Sequence, residues 1–404
     1  MRESHIFPAG ALRSDGGPFD VRAGGDDAHG FRESLSGHRG GALRTGLSRM
    51  AGIVSPAGLA QPDRGLVSGG RQRAPGAGPA DGGSVGTSGS IGDSGGLRFD
   101  APVERNGYAW WYLDALSDDG RHGLTVIAFI GSVFSPYYAW ARRRGSTDPL
   151  NHCALNVALY GAGGKRWSMI ERGRSAVRQE ARCLTIGPSA VSWDGDALTF
   201  SIDEVTVPWP SRIRGKLRVH PTALPEQGFA LDEQRHHHWL PIAPVARIEV
   251  ELEHPAMRWS GTGYLDSNRG SAPLEQAFSS WTWSRASVRG GTGIIYDVER
   301  RDGPPLSLAL FCDEAGRVRH FQAPLPVPLP RTGWRIDRST RVDAGHRANL
   351  LETLEDTPFY ARSTLATHLM GKPVTAIHES LSLKRFSAPW VRMLLPFRMP
   401  RWTA

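Results

Sequence analysis

The sequence has little cysteine, and its three cysteines are scattered. Cys153, Cys183 and Cys312 form no Cys-x-x-Cys pair, which excludes a disulfide framework and the usual zinc motifs and is typical of a reducing compartment. No run of about 18 apolar residues is present, so no segment is expected to span a bilayer as a helix. Phosphate-binding loops, dinucleotide fingerprints, nucleophile elbows and His-Glu-x-x-His motifs are also missing. We therefore expect chemistry without a cofactor.

The first 96 residues lack tryptophan, tyrosine and cysteine, yet they contain 24 of the 48 glycines. Such a segment buries too little apolar surface to offset the entropy lost on ordering. We predict a disordered extension over residues 1–96. A translation start downstream of this segment is an alternative that the sequence leaves open.

The net charge of the chain indicates which kinds of partner it can be expected to bind. The formal net charge is +8, with arginine in large excess over lysine, and a basic balance favours either membrane headgroups or nucleic acid. No basic run alternates with aromatic residues as in nucleic-acid modules, so we expect no nucleic-acid partner. Residues 385–404 combine arginines with large apolar side chains, which predicts a basic amphipathic tail that docks at a membrane surface. An ordinary packed tail is the alternative.

The start Met1–His5 has no apolar signal core, so we expect a cytoplasmic protein in peripheral contact with the inner membrane.

From Leu97 onward, short strand-like segments alternate with turns and predict an all-β fold of the sandwich or barrel type. The length favours two β units in tandem, which we place at residues 97–225 and 226–384. Helices are expected only near Ser135–Arg144 and Pro389–Leu395. The proline-rich Ala323–Pro330 is expected to be a polyproline II connector.

Four residues on two predicted strands carry the most specific chemical pattern. Residues two apart share a face of a strand, so His237 and Trp239 point one way on the first strand, and Tyr264 and Asp266 point one way on the second. A cavity lined by both faces would hold an imidazole, an indole, a phenol and a carboxyl group. A polar edge strand, or a structural zinc bound by His236 and His238, is the alternative for the histidines.

Asp266 also has an ordinary explanation, because Asp-Ser-Asn sequences favour turns at strand ends. In an aromatic cavity, however, burial would raise its pKa and make it a proton donor near neutral pH.

Aromatic residues of two further strands are candidates for the walls of such a cavity. Trp110 and Tyr112 share one face of the strand predicted at residues 108–115. Trp281 and Trp283 share one face of the strand predicted at residues 280–283. We predict these four as substrate-binding residues, with core packing as the alternative for the first pair.

These segments resemble the carotenoid 1,2-hydratases, also called hydroxyneurosporene synthases, of phototrophic bacteria. The resemblance covers residues 97–384, while the glycine-rich extension finds no counterpart in the common core of the family. It is carried by Gly107–Asp114, Asn151–Asn156, Arg235–Pro244 and Trp259–Asn268, and continues through Glu275, Phe278, Trp281 and Trp283.

The resemblance implies two lipocalin-like β-barrel units of the AttH type. It also implies an acyclic carotenoid substrate, such as neurosporene or lycopene, and addition of water across the terminal double bond.

For that reaction we predict Asp266 as the acid that protonates the alkene. Trp239 and Tyr264 would stabilise the carbocation through their π faces, and His237 would orient and deprotonate the incoming water. The resemblance points to the same four residues. A non-catalytic carrier of a hydrophobic ligand is the main alternative. A glycosidase that pairs Asp266 with Glu275 or Asp297 is a minor one.

Overall fold

Antiparallel strands make up most of the chain in this computed structural model, which describes residues 91–92 and 96–402. The all-β fold with few helices is confirmed. The extension predicted over residues 1–96 lies almost wholly outside the described residues. In chain order the strands are β1 (Ile91–Gly92), β2 (Gly96–Leu97), β3 (Tyr108–Ser117), β4 (His122–Ile130), β5 (Cys153–Gly161), β6 (Arg166–Arg172), β7 (Val177–Glu180), β8 (Cys183–Ile186), β9 (Ser189–Trp193), β10 (Leu198–Val205), β11 (Arg212–Pro221), β12 (Phe229–Ala230), β13 (His237–His254), β14 (Met257–Gly270), β15 (Phe278–Val288), β16 (Gly291–Arg300), β17 (Leu306–Asp313), β18 (Val318–His320), β19 (Pro326–Leu329), β20 (Arg338–Arg341), β21 (Asn349–Asp356), β22 (Tyr360–Leu369), β23 (Lys372–Ser382) and β24 (Arg401–Trp402).

The helices are short and lie between or after the strands. They are α1 (Pro136–Arg144), α2 (Leu274–Ala277), α3 (Leu383–Phe386) and α4 (Pro389–Arg398), with 3₁₀ turns at Pro149–Asn151 and Arg174–Ala176. Both predicted helices are confirmed. The first begins where Ser135 accepts hydrogen bonds from the backbone N–H groups of Tyr137 and Tyr138, as an N-cap does. In the part of the chain that the structure describes, no helix is long and apolar enough to cross a membrane.

A 13-stranded sheet contains every strand from β3 to β14, together with β24. Its order is β24-β6-β5-β4-β3-β14-β13-β11-β10-β9-β8-β7, with β12 paired to β13. The pairs are antiparallel, apart from the parallel pair of β24 and β6. The central strands β3, β14 and β13 bring the motifs predicted from the sequence side by side.

A second, seven-stranded sheet follows in the order β18-β17-β16-β15-β23-β22-β21. Apart from β24, the chain therefore passes from the first sheet to the second between Gly270 and Phe278. The predicted boundary between residues 225 and 226 falls inside the first sheet, because β13 and β14 pair with strands that precede it. The assignment of two lipocalin-like units stays a prediction.

The segment predicted as a polyproline II connector contains a strand instead. β19 pairs with β20 in a separate two-stranded sheet. Pro326 and Pro328 lack an N–H group, so this segment can donate ladder hydrogen bonds only from Val327 and Leu329, as suits an edge strand. That prediction was wrong.

Strand β3 is buried on both faces, which explains its continuous apolar sequence. Trp111 and Leu113 belong to the core on one side of the first sheet. Tyr108, Trp110 and Tyr112 belong to a separate, aromatic-rich core on the other side. The aromatic core also contains side chains from β15 to β17 and β23, so the second sheet packs against this face of the first.

Candidate active site

A cavity of about 410 Å³ opens into the aromatic core, with residues of both sheets in its walls. Most of its lining is apolar. Its lining includes Trp110, Tyr112, Asp266, Trp281, Trp283, Tyr296, Tyr360 and Glu379. All four predicted substrate-binding residues, Trp110, Tyr112, Trp281 and Trp283, are among them. Within residues 91–92 and 96–402, no three His, Cys, Asp or Glu side chains are grouped to hold a metal ion.

Asp266 lies in the middle of β14, with only 5% of its surface exposed. The strand continues to Gly270, so the alternative of a turn at a strand end does not apply. The indole N–H of Trp239 and the hydroxyl of Tyr264 both donate to its Oδ2 atom, each at 2.8 Å. Three of the four residues predicted as catalytic are therefore in direct contact.

Burial raises the pKa of Asp266 to about 7, against the opposing effect of the hydrogen bonds from Trp239 and Tyr264. The negative charges of Glu379 and Asp114 raise the pKa further. Both donors bind Oδ2, whereas no described residue donates to Oδ1. Oδ1 is therefore the atom that can carry the proton. The geometry provides a neutral carboxylic acid at the wall of an aromatic cavity.

Trp239 and Tyr264 are completely buried behind this carboxyl group and do not line the cavity. The ring of Tyr264 packs against Trp283 with 5.1 Å between centroids, and Trp239 packs against Tyr296 at 5.3 Å. Their polar atoms hold Asp266, and their rings support the aromatic residues that do face the cavity.

His237 is fully buried on the same face of β13 as Trp239, as predicted. Its Nδ1 atom is hydrogen-bonded to the hydroxyl of Tyr108 at 2.9 Å, and its ring packs on Phe278. A side chain at Gly270, directly opposite, would collide with both Tyr108 and His237, so only glycine fits there. Burial lowers the pKa of His237 to about 4, which leaves the imidazole neutral. The described lining of the cavity does not include His237.

The sequence interpretation missed a buried ionic cluster beside the cavity. Arg362 binds both Asp114 and Glu379, and Arg285 binds Asp114 as well. The hydroxyl of Tyr112 donates to Glu379 at 2.7 Å. A pattern was present, because Arg362 and Glu379 each occupy an inward position on a strand whose neighbouring positions are mostly apolar or small. Their partners, however, are more than 200 residues away or on another strand.

The mouth of the cavity is surrounded by apolar side chains from α4 and nearby loops. Leu394 and Phe397 of α4 line it, together with Trp334, whose ring stacks on Trp390 at 6.2 Å between centroids. Phe397 is 76% exposed and Met393 is 72% exposed. The apolar surface of the cavity thus continues onto the outside of the protein.

These observations define a class: a β-sheet protein with an apolar cavity and, in the wall of that cavity, a buried carboxyl group whose pKa is raised. Comparison with known proteins makes the class specific. The family model described as carotenoid hydratase CrtC matches residues 126–404. The chain belongs to this carotenoid hydratase family.

Two relatives named acyclic carotenoid 1,2-hydratase are highly similar. The one from Thiocapsa roseopersicina is 55% identical over 403 residues, 99% of each chain. The one from Rubrivivax gelatinosus is 50% identical over 388 residues, 95% of each chain. The first match extends through nearly all of residues 1–96, so the glycine-rich extension does have a counterpart in that relative.

A solved structure of kievitone hydratase from Nectria haematococca is 8% identical and covers 74% of this chain and 97% of its own, with a TM-score of 0.44. At that score the likeness carries no weight for function.

Proposed function

We propose that this protein is a hydro-lyase that adds water across the terminal C1–C2 double bond of an acyclic carotenoid. Neurosporene and lycopene are the substrates expected, and a tertiary 1-hydroxy carotenoid is the product. The observation that carries the proposal is the buried Asp266 in the wall of an aromatic cavity, where burial raises its pKa to about 7. The names of the relatives support the same reaction.

The reaction begins with transfer of the proton from Asp266 to C2 of the alkene. An unactivated alkene is a weak base, so it needs an acid held close to the carbon in a site that excludes bulk water. Burial keeps the carboxyl group protonated, and the two donors to Oδ2 leave Oδ1 directed away from them. Trp239 and Tyr264 position the acid. The hydrogen bonds that they donate also stabilise the negative charge that Asp266 gains when its proton leaves.

Protonation at C2 leaves a positive charge on the tertiary carbon C1. This cation has no hydrogen-bonding group, so aromatic faces are the suitable stabilisers, each contributing on the order of 2 kcal/mol when water is absent. The sequence predicts this role for Trp239 and Tyr264, but neither ring lines the cavity. Trp281 and Trp283 line it directly, and we propose that they stabilise the cation.

The role of His237 as the base for the incoming water stays a prediction, because no contact in the structure tests it. The contacts of His237 support a positioning role. It holds the hydroxyl of Tyr108, and the Tyr108 ring stacks on Trp110 with 4.9 Å between centroids. Trp110 in turn lines the cavity. We propose that these contacts fix the position of Trp110 in the cavity wall.

A long polyene dissolves in the bilayer, so the enzyme must meet its substrate at a membrane. We propose that the exposed face of α4 docks on the inner membrane from the cytoplasmic side, with Phe397 and Met393 inserted among the lipids. The substrate would then enter the cavity without crossing water. The association is peripheral in this proposal.

The experiment that tests the function is turnover of lycopene in water labelled with ¹⁸O. The wild-type protein is expected to give a product heavier by one labelled water, with the label in the new hydroxyl group. Asp266→Asn keeps the shape and both hydrogen-bond donors satisfied but removes the acid, so hydration should fall at least about a hundredfold while the protein stays folded. Stoichiometric binding of lycopene without any hydroxylated product would instead support the carrier.

A further inference from the structure

A second carboxyl group faces the same cavity as Asp266 but comes from the other sheet. Glu379 lies on β23 and is one of the lining residues. Tyr112 connects the two carboxyl groups, because it is paired with Asp266 in the first sheet and its hydroxyl donates to Oε1 of Glu379. The two acids therefore occupy neighbouring positions on the cavity wall.

The partners of the two carboxyl groups differ in charge. Asp266 receives hydrogen bonds only from neutral groups, the indole of Trp239 and the phenol of Tyr264. Glu379 forms a buried ion pair with the guanidinium group of Arg362. An ion pair favours the ionised carboxylate, whereas burial among neutral groups favours the protonated acid. One cavity thus contains an acid and a carboxylate base side by side.

The wider cluster is balanced in charge. Asp114 lies between Arg285 and Arg362, so two guanidinium groups face the two carboxylates of Asp114 and Glu379. The other titratable groups that interact with Glu379 are the phenol of Tyr112, which is hydrogen-bonded to it, and Asp266, Tyr296, Glu355 and Tyr360.

One oxygen of Glu379 is free to act. Oε1 accepts from both Tyr112 and Arg362, whereas Oε2 accepts no hydrogen bond from any described residue. Since Glu379 lines the cavity, Oε2 is available to a small molecule inside it. A water molecule there would have a strong acceptor for one of its protons.

We propose that Glu379, rather than His237, which does not line the cavity, is the catalytic base that takes a proton from the water as its oxygen bonds to C1. The inference rests on the proposed hydration. Asp266 gives its proton to C2, the water oxygen supplies the electron pair of the new C1–O bond, and one water proton passes to Oε2 of Glu379. The alkene and one water become one tertiary alcohol. The proton on Glu379 then returns to Asp266 through solvent, which restores both groups.

This assignment of roles to Asp266 and Glu379 matches enzymes in which one of two carboxyl groups in a site acts as the acid and the other as the base. It also accounts for a buried Arg362 that binds Glu379 and donates to Tyr112 at 2.6 Å. That arginine places a positive charge beside the base.

The test compares Glu379→Gln with the wild-type enzyme on lycopene over a range of pH. Gln keeps an acceptor for Tyr112 and Arg362 but is not a base. We expect kcat to fall at least about a hundredfold, the usual contribution of a general base, with KM changed by less than about threefold. The decline of kcat above about pH 7, which reflects loss of the proton from Asp266, should be retained in Glu379→Gln. A merely structural role would change KM or the stability of the folded protein together with kcat.

Asp297→Asn is the matched control, because Asp297 lies on the same sheet as Glu379, forms an ion pair with Arg341 and does not line the cavity. Its activity should stay near the wild-type value. Turnover of Glu379→Gln within about threefold of wild type would overturn the proposal.

Glu379→Asp settles the matter if the Gln variant fails to fold. It keeps the carboxylate and the charge balance but withdraws Oε2 from the cavity, so we expect a folded enzyme with kcat lowered about tenfold or more. Wild-type kcat in this variant would contradict a base at this position. Absence of hydration by the wild-type protein would instead refute the proposed function itself.

Discussion

The chemistry of this cavity depends on the protonation state of a single carboxyl group. Hydrogen bonds from Trp239 and Tyr264 favour the charged form of Asp266, and burial favours the neutral form. Burial prevails, because the pKa of Asp266 lies near 7 rather than near 4. A large share of the molecules therefore carries the proton at neutral pH, and the two donors stand ready to stabilise the carboxylate when the proton leaves.

This balance predicts the pH dependence of hydration. Activity requires protonated Asp266, so it should decline as pH rises through about 7. Tyr264→Phe removes one bond that favours the charged form, so the pKa of Asp266 rises and the upper limb moves to higher pH. A shift of about one pH unit is expected, since a hydrogen bond to a charged group contributes roughly 1.5 kcal/mol. The measurement is kcat against pH.

Tyr360→Phe is the control for that shift. Tyr360 lines the same cavity, but no hydrogen bond joins it to Asp266. The same loss of a hydroxyl should leave the limb in place. A limb that stays put or moves to lower pH in Tyr264→Phe would show that the phenol does not act on Asp266.

At the residue scale, the alternation of faces along a strand was enough to pair Tyr264 with Asp266 and to place Trp239 on a buried face. The contact of His237 with Tyr108 was beyond the sequence, because it depends on the register between strands 129 residues apart. Glu379 escaped notice for the same reason. Its partner Tyr112 is 267 residues away, so the pairing of these two side chains depends on how the two sheets pack.

Among the elements, α4 has the clearest separate role. Val391 and Leu395 are buried against the aromatic core, whereas Met393, Leu394 and Phe397 face outward. An exposed apolar face next to the mouth of an apolar cavity is suited to contact with lipid. One face of the helix thus packs on the core, and the other lies beside the mouth through which the substrate would enter.

Replacing Met393 and Phe397 together by serine should weaken binding to anionic vesicles at least about tenfold. Each inserted side chain of this size contributes roughly 1.5–3 kcal/mol, and 1.4 kcal/mol is a factor of ten. Co-sedimentation with phosphatidylglycerol vesicles measures the effect. Leu325→Ser is the control, because Leu325 is equally exposed but lies outside α4 and the cavity lining. Equal binding by both variants would count against docking through α4.

The elements show where local sequence is sufficient and where it is not. The two helices were predictable, since Ser135 and the proline after it form a standard helix start and Pro389 begins the other. The continuation of β14 through Asp266 to Gly270 was not, because turn-forming residues there are held in the ladder by pairing with β3 on one side and β13 on the other. Likewise, the position of the sheet boundary depends on which strands pair, and composition does not encode pairing.

At the scale of the whole molecule, the two sheets are joined by the buried ions beside the cavity. Asp114 of the first sheet binds Arg285 and Arg362 of the second. Because each charge has a partner, the desolvation of the ions is offset only in the assembled pair of sheets. The ion pairs that border the cavity are therefore also contacts that hold the two sheets together.

Function and stability oppose each other at Asp266. The folded protein holds its carboxyl group at a pKa of about 7, and the unfolded chain at about 3.9, so the folded state binds more protons between these values. Stability is therefore lost as pH rises through this range. Asp266→Asn removes the effect, and its advantage in unfolding free energy over wild type should grow by about 2–3 kcal/mol from pH 5 to pH 8.

Urea unfolding of both proteins at the two pH values measures that difference. A difference that does not change with pH would mean that the carboxyl group titrates alike in the folded and unfolded chains.

The most direct measurement is the titration of the Asp266 carboxyl group itself. With ¹³C-labelled aspartate, the resonance missing from Asp266→Asn identifies this residue in the wild-type spectrum, and its chemical shift can be followed from pH 4 to pH 9. The proposed mechanism requires a midpoint near 7. A midpoint near 4, with the carboxylate fully ionised at neutral pH, would contradict it.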